Sequence, residues 1–242
     1  MAVTPKQRVS PRLSASQLAD YLVAATPIGQ LGILRQAKNP ASGKAMIIQY
    51  QLAKRAIAEC LRNRSQINQI VAKAVMELEA RRDNGANGPL VRDDAQRCIG
   101  VIQTFQQAQN QMDLWQHDYT EPNVPSPTMN IHGVEVSVFP DVVASIQHRG
   151  VDRVGQVFIR CMIGQTTDGA ENRRAEANGH LATIAHMHTM QFLEHLGNPH
   201  APTSMVIDVP RKSLVRGSVN YARRVANIET ACKMIAAIWP TV

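Results

Sequence analysis

Aromatic residues are scarce in this 242-residue chain, which has four Phe, four Tyr and two Trp. Ala, Val, Ile and Met must fill most of any core, and an apolar fraction of 44% is enough for one of ordinary size. Cysteine is also sparse. Cys60, Cys98, Cys161 and Cys232 stand far apart with no CxxC pair, which argues against a disulfide frame or zinc ribbon and fits buried thiols in a reducing compartment. No run of about 18 apolar residues occurs, so no membrane span is expected. Nothing apolar follows Lys6, Arg8 and Arg12 as a secretory signal would require, and a cytoplasmic location is expected. There is no glycine-rich phosphate loop and no G-x-S-x-G elbow. Acidic residues are short in one half only. Residues 1–115 hold 15 Lys/Arg against 8 Asp/Glu, whereas residues 116–242 hold 11 of each. A basic half beside a neutral one points to a polyanionic partner.

The pattern along the chain predicts a basic, disordered tail over residues 1–12 and a single domain over residues 13–242. Its first part (13–118) reads as mainly helical and its last (128–242) as an α/β core. Tyr119 to Pro127, with three prolines, forms the joint. Ser14 or Ser16 can cap a first helix that Thr26-Pro27 ends, with a short apolar stretch after it (Ile28 to Leu34). Ser42 can cap a helix over Lys44 to Arg62 and Ser65 one over Gln66 to Arg82. In the latter, Ile67, Ile70, Val71, Ala74, Val75 and Leu78 recur at helical spacing. Asn84 to Pro89 is a stop, and a third long helix runs from Asp93 to about Trp115. Beyond the joint, Val134, Val136 and Val138 alternate as in a half-buried strand, and Pro140 ends its ladder. A turn-prone segment, Gln147 to Gly155, leads to a second strand over Gln156 to Ile163. Then come a helix (Ala170 to Leu196), a central strand (Ser204 to Val209), a basic turn (Pro210 to Ser218) and a last helix ending near Trp239. Helices followed by the order β, β, α, β, α give an α/β fold.

Two stretches carry a resemblance. The first is Ser14-Ala15-Ser16-Gln17-Leu18-Ala19-Asp20-Tyr21, with Thr26-Pro27 after it. The second is Pro140-Asp141 behind a strand, with Val157 to Met162 as the next strand. Together they resemble the RecB-type branch of the PD-(D/E)XK nuclease superfamily over roughly residues 12–240. The resemblance implies a PD-(D/E)XK-like core, with a small central mixed sheet and a large N-terminal helical insertion. It also implies Mg²⁺ or Mn²⁺ held by carboxylates, with Asp141 as the first metal ligand. Arg160 then stands at the Lys position and Phe158 where the second acid belongs. Arginine stays charged and cannot act as a base. Glu135 is the leading candidate for a relocated carboxylate, with Glu171, Glu176 and Glu194 as further donors. The implied function is binding of DNA or RNA by a catalytically degenerate nuclease fold, as a subunit of a larger nucleic-acid-processing complex. Lys44, Lys54, Arg55, Arg62, Arg64, Arg211, Lys212 and Arg216 are the candidate phosphate contacts. Two alternatives stay open: an active Mg²⁺- or Mn²⁺-dependent nuclease, and a helical adaptor for a protein partner.

Two other constellations are set aside. His180, His186, His188, His195 and His200 contain no i, i+4 pair within 180–195 and read as core or surface residues rather than as a metal site. Arg173 or Arg174 with His180 matches the spacing of some helical ribonucleases, but the surrounding α/β pattern does not fit.

Overall fold

The computed structural model describes residues 8–40, 49–122 and 125–242. The expected α/β class holds: seven helices accompany a three-stranded and a six-stranded sheet among the described residues. No helix among them is long and apolar enough to cross a membrane.

Only the end of the expected tail, residues 8–12, is described. Residues 1–7 lie outside the described residues, but Arg12 already belongs to β1 (Arg12–Ser14). Ser14 then caps α1 (Ala15–Val23): its hydroxyl accepts from the Gln17 N–H at 3.2 Å, and the Gln17 side chain accepts from the Ser14 N–H at 2.9 Å. Two donors that the helix start would orphan are satisfied reciprocally. Thr26-Pro27 follows the end of α1, as expected, but it also starts α2 (Pro27–Lys38). Thr26 accepts from the Gly29 N–H and Pro27 fills the first helical position, where its missing N–H costs nothing. The apolar stretch Ile28 to Leu34 is therefore helical. The expected cap Ser42 and the first residues of the next predicted helix, Lys44 included, lie outside the described residues; α3 is Gln51–Arg62. Helix α4 (Ile67–Asp83) matches its periodicity, and α5 (Pro89–Ala108) starts earlier and stops sooner than its pattern suggested.

The remaining strands are β2 (Asp118–Thr120), β3 (Thr128–Ile131), β4 (Val134–Ser137), β5 (Val142–His148), β6 (Val151–Arg160), β7 (Asn198–Pro199), β8 (Met205–Asp208) and β9 (Ser213–Arg216). Helix α6 (Asp168–Phe192) joins β6 to β8, and α7 (Ala222–Ile238) closes the chain. Three expectations change here. The alternating valines of β4 do lie buried, but in the small sheet β1-β4-β3, not beside β6. The partner of β6 is β5, which begins directly after Asp141. The segment read as turn-prone, Gln147 to Gly155, is instead the tip of this β5–β6 hairpin. Its two-residue turn is Arg149-Gly150, with φ of 52° and 76°, the left-handed pair that suits a tight hairpin. Tyr119, placed in the joint, lies in β2 and pairs with Ala144.

The large sheet runs β2-β5-β6-β8-β9, with β5 antiparallel and β8 parallel to β6. Alternation along β6 and β8 sorts the two cores. Val157, Ile159, Cys161, Met205 and Ile207 pack toward α3, α4 and α5. Phe158 and Val206 pack toward α6, α1, α7 and the small sheet. Because both faces are covered, β8 reads as an apolar run, Met205 to Ile207, closed by Asp208.

Candidate functional site

Asp141 stands where β5 enters the sheet. Its own N–H donates to the Val157 carbonyl at 2.9 Å, and its Oδ2 accepts from the Ile159 N–H at 2.6 Å. The carboxylate is thus fixed across the end of β6. From the helical layer, Lys54 of α3 reaches over the sheet and places Nζ 3.3 Å from Oδ2 and 3.4 Å from Oδ1. The Asp141 side chain is 15% exposed and that of Lys54 38%. Burial raises the Asp141 carboxyl above its usual range, while the Lys54 ammonium and the Ile159 N–H pull it back.

A cleft of about 240 Å³ opens beside this pair, lined by Asp20, Tyr50, Lys54, Ile159, Arg160 and Arg174, among others. Arg160, at the end of β6, does not meet Asp141. It donates to Asp20 of α1 at 3.1 Å. Across the ladder from Arg160 lies Asp208, the last residue of β8, only 1% exposed. Arg174 of α6 grips it with two nitrogens, one at 2.7 Å, and Asn178 donates to it at 3.0 Å. Arg211 pairs with Glu171, and both Arg211 and Arg174 donate to the Ile163 carbonyl. Asp208 escaped the sequence reading, although a carboxylate closing an otherwise apolar strand was a signal that could have found it.

The other candidates are scattered. Glu135 sits on β4 in the small sheet, 3.9 Å from Arg12, and is not brought to Asp141. Glu176 pairs with Arg224, and Glu194 follows the end of α6. Arg62 pairs with Glu121, Arg64 lies over the Trp115 ring, and Arg55 faces a separate groove between α3 and α4. Lys212 takes a left-handed backbone after a short turn. Arg216, at the start of the β8 pairing, belongs to the opposite end of the sheet from Arg211 and pairs with Asp113. The basic patch expected after the last strand is therefore divided between two ends. His188 is structural: Gln156 donates to its Nδ1 at 2.9 Å, and its Nε2 lies 2.9 Å from the Pro127 carbonyl.

The donor set does not fit a divalent metal of the Mg²⁺ or Mn²⁺ kind. Such an ion needs several oxygens that converge. Asp141 is the one carboxylate at this strand end, and it is occupied by an ammonium and an amide. Asp20 and Asp208 are each held by an arginine. Among the described residues no three His, Cys, Asp or Glu side chains form a metal-binding group. In comparisons with known proteins, no family model, no curated protein and no solved structure matches the chain.

Proposed function

We propose that this protein binds nucleic acid, DNA or RNA, across the cleft at the Asp141 end of the large sheet. It does so with a PD-(D/E)XK-like core that has lost its metal. The observation that carries the reading is the Lys54–Asp141 pair. An ammonium sits against the carboxylate that the resemblance assigns to the metal, and Lys54 lines the adjoining cleft together with Arg160 and Arg174. The strand path supports the same core. Two antiparallel strands meet beside an aspartate, and a helix then crosses to a parallel third. Phe139 adds a second kind of contact. It is two residues from Asp141 and 61% exposed, and no other of the ten aromatic rings is exposed. An open ring suits base stacking, which is tolerant of sequence.

Anisotropy titrations with labelled single- and double-stranded DNA and RNA, in chelator and at low salt, test this. Binding should persist without divalent metal and weaken as salt rises. Arg160→Ala should lower affinity and reduce the log–log salt slope by about one phosphate contact. Absence of binding to all four probes at low salt would overturn the proposal. A second reading, a helical adaptor for a protein partner, draws on the groove of about 440 Å³ between α3 and α4, where Arg55 and Lys73 face Glu59 and Glu77. A salt-insensitive protein complex with no nucleic-acid affinity would favour it.

A further inference from the structure

The opposite end of the large sheet carries a second basic cleft, of about 170 Å³. His117, His148, Arg153, His200, Thr203 and Arg216 are among the residues that line it. Three imidazoles and two guanidiniums gather there from the loop before β2, the β5–β6 hairpin, the loop before β8, and β9. Among the described residues Asp113 is the one carboxylate paired with a cation of the group, and its partner is Arg216 at 3.1 Å. Arg153 has no carboxylate within 4 Å among the described residues. Among the described residues its single protein hydrogen bond goes from Nη1 to His200 Nε2 at 2.8 Å, so the remaining guanidinium donors have no protein acceptor there. His200 Nδ1 in turn meets Thr203 Oγ1 at 2.9 Å, which holds the ring neutral with Nε2 as the acceptor. Nδ1 of His117, a buried residue, has no hydrogen-bond partner among the described residues.

The cleft is rigidly built. Gly155 of β6 and Gly217 after β9 let the 200–204 segment lie directly on the sheet. A Cβ on Gly155 would fall 2.3 Å from the Thr203 carbonyl carbon, and one on Gly217 would fall 2.3 Å from the Ala201 oxygen. Gly197, with φ of +149°, brings the chain against the Asp152 carbonyl at the entry to this segment. These close approaches fix His200 opposite Arg153.

We propose that this cleft is a phosphate-binding site, with Arg153 as its principal anchor and His148 and His200 beside it. A guanidinium with unused parallel donors matches the oxygens of a phosphate group, and no nearby carboxylate competes for it. The site is separate from the Asp141 cleft and does not depend on the function proposed for it. Burial first, then the neighbours Arg216 and His200 around His117, and Arg153 and His148 around His200, hold the His117 and His200 imidazoles below their ordinary range. An anion among them reverses that pressure, and by linkage it binds more tightly as the rings gain protons.

The test is an NMR titration of the histidine ring protons with inorganic phosphate, and separately with a short single-stranded oligonucleotide. Sodium chloride at matched ionic strength is the control. Saturable shifts at His148 and His200 with phosphate, tighter at pH 6 than at pH 8 and weakened about tenfold or more by Arg153→Gln, are expected. Saturation by phosphate alone identifies the free ion as sufficient. Saturation only by the oligonucleotide assigns the site to a phosphodiester, still through Arg153. Should Arg153→Gln unfold the chain, His148→Ala on the exposed rim must still weaken binding. Shifts that match the chloride control, or that survive both substitutions, would overturn the proposal.

Discussion

The two ends of the large sheet both gather cations but dispose of them differently. At the Asp141 end, Lys54, Arg160, Arg174 and Arg211 each face a carboxylate: Asp141, Asp20, Asp208 and Glu171. At the far end, Arg216 has Asp113, whereas among the described residues Arg153 has only an imidazole. Net charge along the chain does not distinguish these ends; the pairing does. A paired cation can still meet a phosphate at the rim, but it must share. An unpaired one is a binding site waiting for a counter-charge. The comparison also separates two kinds of ion pair at the first end, one sealed inside the sheet and others open to water.

The largest effect should come from breaking the sealed pair. Arg174→Met leaves Asp208 buried with only Asn178 for company, and should cost about 3–5 kcal/mol, read as a drop in the denaturant midpoint. Arg160→Met removes a pair whose Asp20 partner is 52% exposed, and should cost under about 1 kcal/mol in the same assay. Equal losses would erase the distinction.

At the far end, Gly155→Ala drives a methyl into the Thr203 backbone, and should cost about 3 kcal/mol while abolishing the phosphate response. A stable variant with an intact response would show that the 200–204 segment is free to move.

Acid should loosen the fold through its histidines. Burial, first among the causes, lowers His117 from an ordinary value of 6.5 to about 4, and lowers His180, His186, His188 and His200 as well. The unfolded chain then binds more protons than the folded one between those values. Stability is full above about pH 6.5 and falls as the pH drops toward 4, with His117 alone contributing on the order of 3 kcal/mol. Thermal melts across that window check the sign, and saturating phosphate should flatten the slope at its upper end. A melting temperature independent of pH over this range would contradict it.

The smallest change is expected at Asp141 itself. Its carboxyl is raised by burial, so its ionised form is a cost at neutral pH, and stability declines as the pH rises through its folded titration. Asp141→Asn should therefore leave stability unchanged or slightly higher, by under about 1 kcal/mol in the denaturant assay, because the half-exposed Lys54 returns to water. A clear loss of stability would mean the pair holds α3 to the sheet.

Much of this arrangement follows from local pattern, and the rest does not. Helix α4 and strand β8 were legible because each buries a face, or both faces, in a repeating way. β5 was not, since Val142 to His148 has no clean alternation and its burial depends on the strands beside it. Asp141 could be picked out beside Pro140, but Lys54 was one basic residue among many in a basic half. Its role rests on a contact 87 positions away that no local period reveals. The far cleft is assembled from four segments, each unremarkable alone. Arg153 and His200 lie 47 positions apart and gain meaning only from the parallel pairing of β6 with β7.

One measurement tests the metal-free reading most directly. Labelled DNA and RNA oligonucleotides are incubated with the wild type and with Asp141→Ala in Mg²⁺, in Mn²⁺ and in chelator, and each sample is read for both binding and chain length. The account predicts equal binding in all three conditions, with every oligonucleotide intact. Metal-dependent fragments from the wild type that vanish in Asp141→Ala would show that Asp141 still serves a metal, and would contradict it.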